Sequence, residues 1–136
     1  MWAGESEGVN TEPSETPQGA AQETKRKSLM QVLVCLGCCC GRVERGKPDV
    51  PVDWLKAQWK AARLNPYIQL TISGCLGPCD LPNVVAVLTA TGQEWIGQLT
   101  QREHYEALLQ WGRACGAARR VEPLPHVLTQ RVFRRF

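Results

Sequence analysis

The sequence predicts an α/β protein in which a mixed β-sheet carries helices packed on it. Three observations predict this. Short apolar, β-branched runs are interspersed with two longer segments whose apolar residues recur at helical spacing. Their order is strand, helix, strand, strand, strand, helix, and the opening strand–helix–strand unit should be a parallel crossover. Apolar residues make up 43% of the 136, ordinary for one small core, and no run reaches the roughly 18 residues of a membrane span.

The elements follow in order. Residues 1–29 are rich in Glu, Ser, Thr, Pro, Gly and Gln and are expected to form a disordered acidic tail, because they cannot bury enough surface to offset their ordering entropy. Gln31–Val34 is expected to be a buried strand. Residues 35–51 should form a loop rich in Cys, Gly and Pro. Val52–Leu64 is expected to be a helix: Val52, Leu55, Trp59 and Ala62 mark one face, and Asn65-Pro66 ends it. Ile68–Ser73 alternates apolar and polar residues as a half-buried strand does. Gly74–Asn83 is a second Cys/Gly/Pro loop. Val84–Leu88 and Glu94–Leu99 should pair as a hairpin through Gly92. Thr100 and Glu103 have capping-box spacing, and the helix they open should bury Tyr105, Leu108, Leu109 and Gly112 and run to about Cys115. This layout is that of a thioredoxin-like fold, with the folded body at residues 30–115.

Charge divides the chain similarly. Residues 1–29 carry a net −2, and the tail at 116–136 holds five Arg against one Glu. The total of +3 is too mild to suggest a nucleic-acid partner. Pro123 and Pro125 interrupt any continued helix, and Val127, Leu128, Val132, Phe133 and Phe136 lie among basic and polar residues. Two readings stand for this short basic amphipathic segment: a tail docked on its own body, or a docking element for an acidic partner or anionic surface.

Seven Cys are the unusual feature of the composition. Lys25-Arg26-Lys27 before Leu29–Cys38 loosely copies a lipoprotein signal, but an acidic tail comes first and the apolar part is short and holds Gln31. A buried strand and a cytoplasmic, reducing location are therefore expected, where such thiols bind metal or act catalytically more often than they form disulfides. Cys35 and Cys40 make a C-x4-C pair after the first strand, and Cys75 and Cys79 a C-x3-C pair after the second. A parallel crossover would bring the carboxyl ends of both strands to one sheet edge, so four thiolates would converge. Such a set suits Zn or an iron–sulfur cluster.

With these residues in view, the chain resembles the thioredoxin-like [2Fe–2S] ferredoxins, a family related to the small cluster-bearing subunit of respiratory complex I. The resemblance is carried by Val32-Leu33-Val34-Cys35, Cys40, Ser73-Gly74-Cys75-Leu76-Gly77-Pro78-Cys79, Pro82-Asn83-Val84-Val85-Ala86-Val87 and Glu94-Trp95-Ile96-Gly97. It implies one [2Fe–2S] cluster, with Cys35 and Cys40 on one iron and Cys75 and Cys79 on the other. It implies a one-electron carrier serving a redox partner protein rather than an enzyme. The homodimer is left open as an assembly. Cys38 and Cys39 depart from the pattern as extra thiols within the first loop.

Two other readings are weighed. A structural Zn module would use the same thiols. A thiol–disulfide oxidoreductase would use Cys35 and Cys38, but its motif opens a helix directly, and Gly41, Pro48 and Pro51 delay the helix here. Gly41–Pro48 also approximates a phosphate loop, with Pro48 where a hydroxyl is needed; Arg42, Arg45 and Lys47 read instead as a basic collar. Cys115 is expected to be a packed core thiol, and His104 an exposed helix residue.

Overall fold

The computed structural model describes residues 21–136. Residues 1–20 of the expected tail lie outside the described residues. Residues 21–29 carry no regular secondary structure, and all but Leu29 are exposed.

Strand β1 spans Met30–Cys35, with Met30, Val32 and Val34 turned into the core. After the first loop, helix α1 covers Val52–Ala61 and buries Leu55 and Trp59. It ends three residues before the expected Leu64, because the chain turns at Arg63, whose φ is 53°. The Leu64 N–H still donates to the Trp59 carbonyl, and the Trp59 indole N–H to the Ile68 carbonyl, which closes the helix onto the following strand.

β2 (Ile68–Ser73) lies parallel to β1, pairing Met30 with Ile68 through Cys35 with Ser73. β3 (Val85–Thr89) runs antiparallel on the other side of β1, and β4 (Gly92–Ile96) returns beside it as a hairpin. α2 (Arg102–Ala118) packs its face of Tyr105, Leu108, Leu109, Trp111, Gly112 and Cys115 on the core. The sheet order is β2-β1-β3-β4-β5, the mixed sheet with flanking helices that the element order implies.

The last strand, β5 (Val132–Phe133), and the short helix α3 (His126–Thr129) before it are absent from the sequence expectation. Two residues are too few to show a period, and β5 is a strand only because Trp95 and Ile96 of β4 pair with it. The C-terminal segment is thus docked on its own body. Leu128 is fully buried, the Gly97 N–H donates to the Arg131 carbonyl, and the Arg131 guanidinium donates to the Gln98 carbonyl. α2 also continues to Ala118, past the expected end near Cys115.

Two expectations about the start of α2 are corrected. Gln101, not Thr100, is the N-cap, and the Gln101 N–H donates to Nδ1 of His104 at 3.1 Å. His104 is only 4% exposed rather than a surface residue. It lies on the face shared by Leu108 and Cys115, at the same helical spacing that placed those residues inside.

Burial and then the positive Arg131 hold the His104 imidazole below its ordinary value of 6.5, against a smaller upward pull from Glu103. The folded state therefore releases this proton more readily than the unfolded chain does. Stability from this group is complete above the unfolded value and is lost as pH falls through it toward the lower folded value. The melting temperature should drop by roughly 3 °C between about pH 7.5 and 5.5. In His104→Gln that slope should flatten, as followed by thermal circular dichroism.

Candidate metal centre

The first cysteine loop begins where β1 ends. The Cys35 N–H donates to the Val84 carbonyl at 3.0 Å and the Leu36 N–H to the Ser73 carbonyl at 3.1 Å. The carboxyl ends of β1 and β2 and the entry to β3 therefore meet at one corner of the sheet. The loop then folds back, the Gly37 N–H donating to the Cys40 carbonyl, and passes through a 3-10 turn at Val43–Arg45. Gly41 must be a glycine: its φ is +72°, and a Cβ there would lie 2.7 Å from Leu36 Cδ1.

One small pocket at this corner is lined by Cys35, Cys39, Cys40, Cys75, Gly77, Pro78, Cys79 and Val84. The four cysteines expected to converge thus border a single space. Cys35 and Cys40 are its buried side, 3% and 2% exposed, backed by Val84 and walled by Leu76, Trp95 and Phe133. Cys75 is exposed and Cys79 half-buried on the solvent side, with their Sγ atoms 3.5 Å apart. Two thiolates bound at ~2.3 Å to one tetrahedral metal stand roughly 3.8 Å apart, so this pair already has the bite of a chelate.

Crowding shapes the acidity of these thiols. Burial, reinforced by the adjacent Cys35, pushes Cys40 up to about 12. Contact with Cys75 is the main reason that Cys79 is also pushed up to about 12, with Cys38 adding to it. Packing thiols against each other disfavours two negative charges side by side, and a bound cation would remove that penalty while displacing the protons. The donor set therefore fits a soft cationic centre.

The fold has a counterpart among known structures. It matches the crystal structure, at 1.5 Å resolution, of the wild-type thioredoxin-like [2Fe–2S] ferredoxin from Aquifex aeolicus, with a TM-score of 0.50 and 20% identity over 80% of this chain and 100% of that one. The fold is thioredoxin-like. No family model and no curated protein matches the sequence. No helix among the described residues is long and apolar enough to cross a membrane.

The thioredoxin-like body places the remaining sequence candidates as follows. Cys115 is fully buried in the main core, its Sγ accepting the Glu122 N–H, well apart from the other thiols. Cys35 is buried against Cys40, and no helix starts within the loop before Val52 other than a single 3-10 turn, so the Cys35/Cys38 oxidoreductase arrangement is not formed. In the basic collar, Arg42 pairs with Glu44, and the Arg45 guanidinium lies 3.4 Å from the Cys38 carbonyl.

Asn83 is the residue that the sequence reading overlooked as a working part. It is fully buried. Its Oδ1 accepts the Gly41 N–H at 2.7 Å, and its Nδ2 lies within 3.1–3.2 Å of the carbonyls of Pro48, Asp49 and Leu99. One side chain thus ties the first cysteine loop to the entry of β3 and to the segment before α2. Only its position, a lone amide directly before the apolar run of β3, could have signalled this.

Asn83→Ala would take the partner from the half-buried Gly41 N–H and the buried Leu99 carbonyl, and release the Pro48 and Asp49 carbonyls. It should lower unfolding free energy by about 3 kcal/mol in urea titrations. In the same variant, thiol-labelling reagents should reach Cys40 faster, because the loop that covers it has lost its tether.

Proposed function

We propose that this chain is a one-electron carrier that holds one [2Fe–2S] cluster on Cys35, Cys40, Cys75 and Cys79 and exchanges electrons with a partner redox protein. One observation carries the reading: two cysteine pairs, each at the carboxyl end of one of two adjacent parallel strands, border a single pocket. The thioredoxin-like [2Fe–2S] ferredoxin that shares the fold supports the choice of cluster over Zn. The kinship with the small subunit of complex I rests on the C-x4-C and C-x3-C spacings.

When bound, such a cluster supplies reversible uptake of a single electron. The chain's own residues set the conditions for it. Each thiol gives up its proton on loading. Val84, Leu76, Trp95 and Phe133 keep water from the buried side, where Cys35 and Cys40 stand. The Val84 backbone N–H faces the Cys40 sulfur, a contact of the kind that tunes a cluster's potential. Cys75 and Cys79 give the pocket its solvent side, the side at which a partner would approach. The chain has no catalytic group of its own in this reading.

Protein purified under anaerobic conditions should be brown-red and contain close to two iron and two acid-labile sulfide per chain. Cys35→Ser, Cys75→Ser and Cys79→Ser should each abolish or severely weaken that content, and Cys115→Ser should leave the visible spectrum unchanged. Cys40→Ser should give an altered or faster-decaying spectrum, through exchange to a neighbouring thiol. Stoichiometric Zn without sulfide would overturn the cluster in favour of a structural metal module.

A further inference from the structure

Cys38 and Cys39 have no part in the proposed cluster, yet the fold does not scatter them. The Sγ atoms of Cys38, Cys39 and Cys79 all lie within 4.8 Å of one another. Cys38 is exposed, and Cys39 and Cys79 are half-buried. The loop turn that sends Cys40 inward leaves Cys38 exposed and Cys39 half-buried at the pocket's edge. The Cys38 carbonyl is held by Arg45, and the Arg42 N–H donates to the Cys39 carbonyl. The six thiols of the two loops therefore divide into an inner pair, Cys35 and Cys40, an outer trio, Cys38, Cys39 and Cys79, and Cys75, which stands beside Cys79; the trio shares Cys79 with the cluster set.

Three thiolates around one metal at ~2.3 Å stand roughly 4 Å apart, so rotation of these side chains by less than an ångström of sulfur travel closes a site. Three soft sulfur donors at a solvent-facing position, with water free to complete the shell, select a thiophilic ion over magnesium, calcium or manganese. We propose that Cys38, Cys39 and Cys79 form a second, outer site for one Zn²⁺ ion. Because Cys79 cannot serve both, the ion and the cluster exclude each other. Filling the outer site releases the proton of each thiol and changes no oxidation state. The ion site stands on the thiol geometry alone; the mutual exclusion rests on the cluster reading.

The test uses the full chain, reduced and freed of metal under anaerobic conditions. Zn²⁺ is titrated against a chromogenic chelator, and native mass spectrometry counts the ions. The parent should take one Zn²⁺ tightly. Cys38→Ser/Cys39→Ser should lose affinity by roughly a thousandfold or more. Cys35→Ser/Cys40→Ser should keep it. Equal Zn²⁺ affinity in the Cys38/Cys39 double variant, or equal loss in the Cys35/Cys40 variant, overturns the outer site. A circular dichroism melt on each variant separates lost binding from lost fold.

A second arm reads the exclusion. Iron and sulfide are offered to the parent and to Cys38→Ser/Cys39→Ser, each with and without one equivalent of Zn²⁺. Zn²⁺ should suppress cluster assembly in the parent and not in the double variant. Equal suppression in both overturns the exclusion. A parent that takes Zn²⁺ but never takes iron and sulfide removes the cluster reading and leaves the outer site standing.

Discussion

The buried side-chain amide of Asn83 is the constraint on which the metal corner depends. The loops that carry the cysteines have almost no regular structure, so their shape cannot come from repeating backbone bonds. It comes from a few specific ones. The Asn83 amide uses its one acceptor on the Gly41 N–H and its donors on carbonyls of the first loop and of the segment before α2. The net worth of each bond is small, about 1 kcal/mol, but without the amide the half-buried Gly41 N–H and the buried Leu99 carbonyl would lose this partner together. The adjoining Val84 then accepts from Cys35 and lines the pocket. Fold and site are joined through two consecutive residues.

Much of this was readable from residue spacing. Ile68–Ser73 alternates cleanly because one face is half covered, and its bounds match those of β2. The two cysteine pairs announced themselves through their place after strands, and parallel pairing of β1 with β2 does the rest. What escaped had weaker local signals. His104 is a lone polar side chain on an apolar helix face, with no partner at a spacing that local sequence shows. β5 exists through pairing with β4, which no local window contains. Asn83 is one amide among several near turns, and only the folded chain reveals which is enclosed.

The thiols show how a short loop creates distinct chemical settings from neighbouring residues. Cys39 and Cys40 are consecutive, yet one is half-buried at the pocket's edge and the other almost wholly enclosed against Cys35. Cys115 is as buried as either inner thiol but stands in the main core with a backbone N–H for company. Burial alone does not make a ligand; convergence with other sulfurs does.

The place of β1 in the sheet has a consequence for how the chain reaches this state. β1 comes first in sequence but is flanked on both sides, Met30 pairing with Ile68 on one edge and with Thr89 on the other. Neither neighbour is local. The β3–β4 hairpin can form early by itself, whereas the central strand must wait for two long loop closures. Until then Val32 and Val34, fully enclosed at the end, remain open to water and to other chains. The slow, vulnerable stage of folding is thus the capture of the very strand that ends in Cys35.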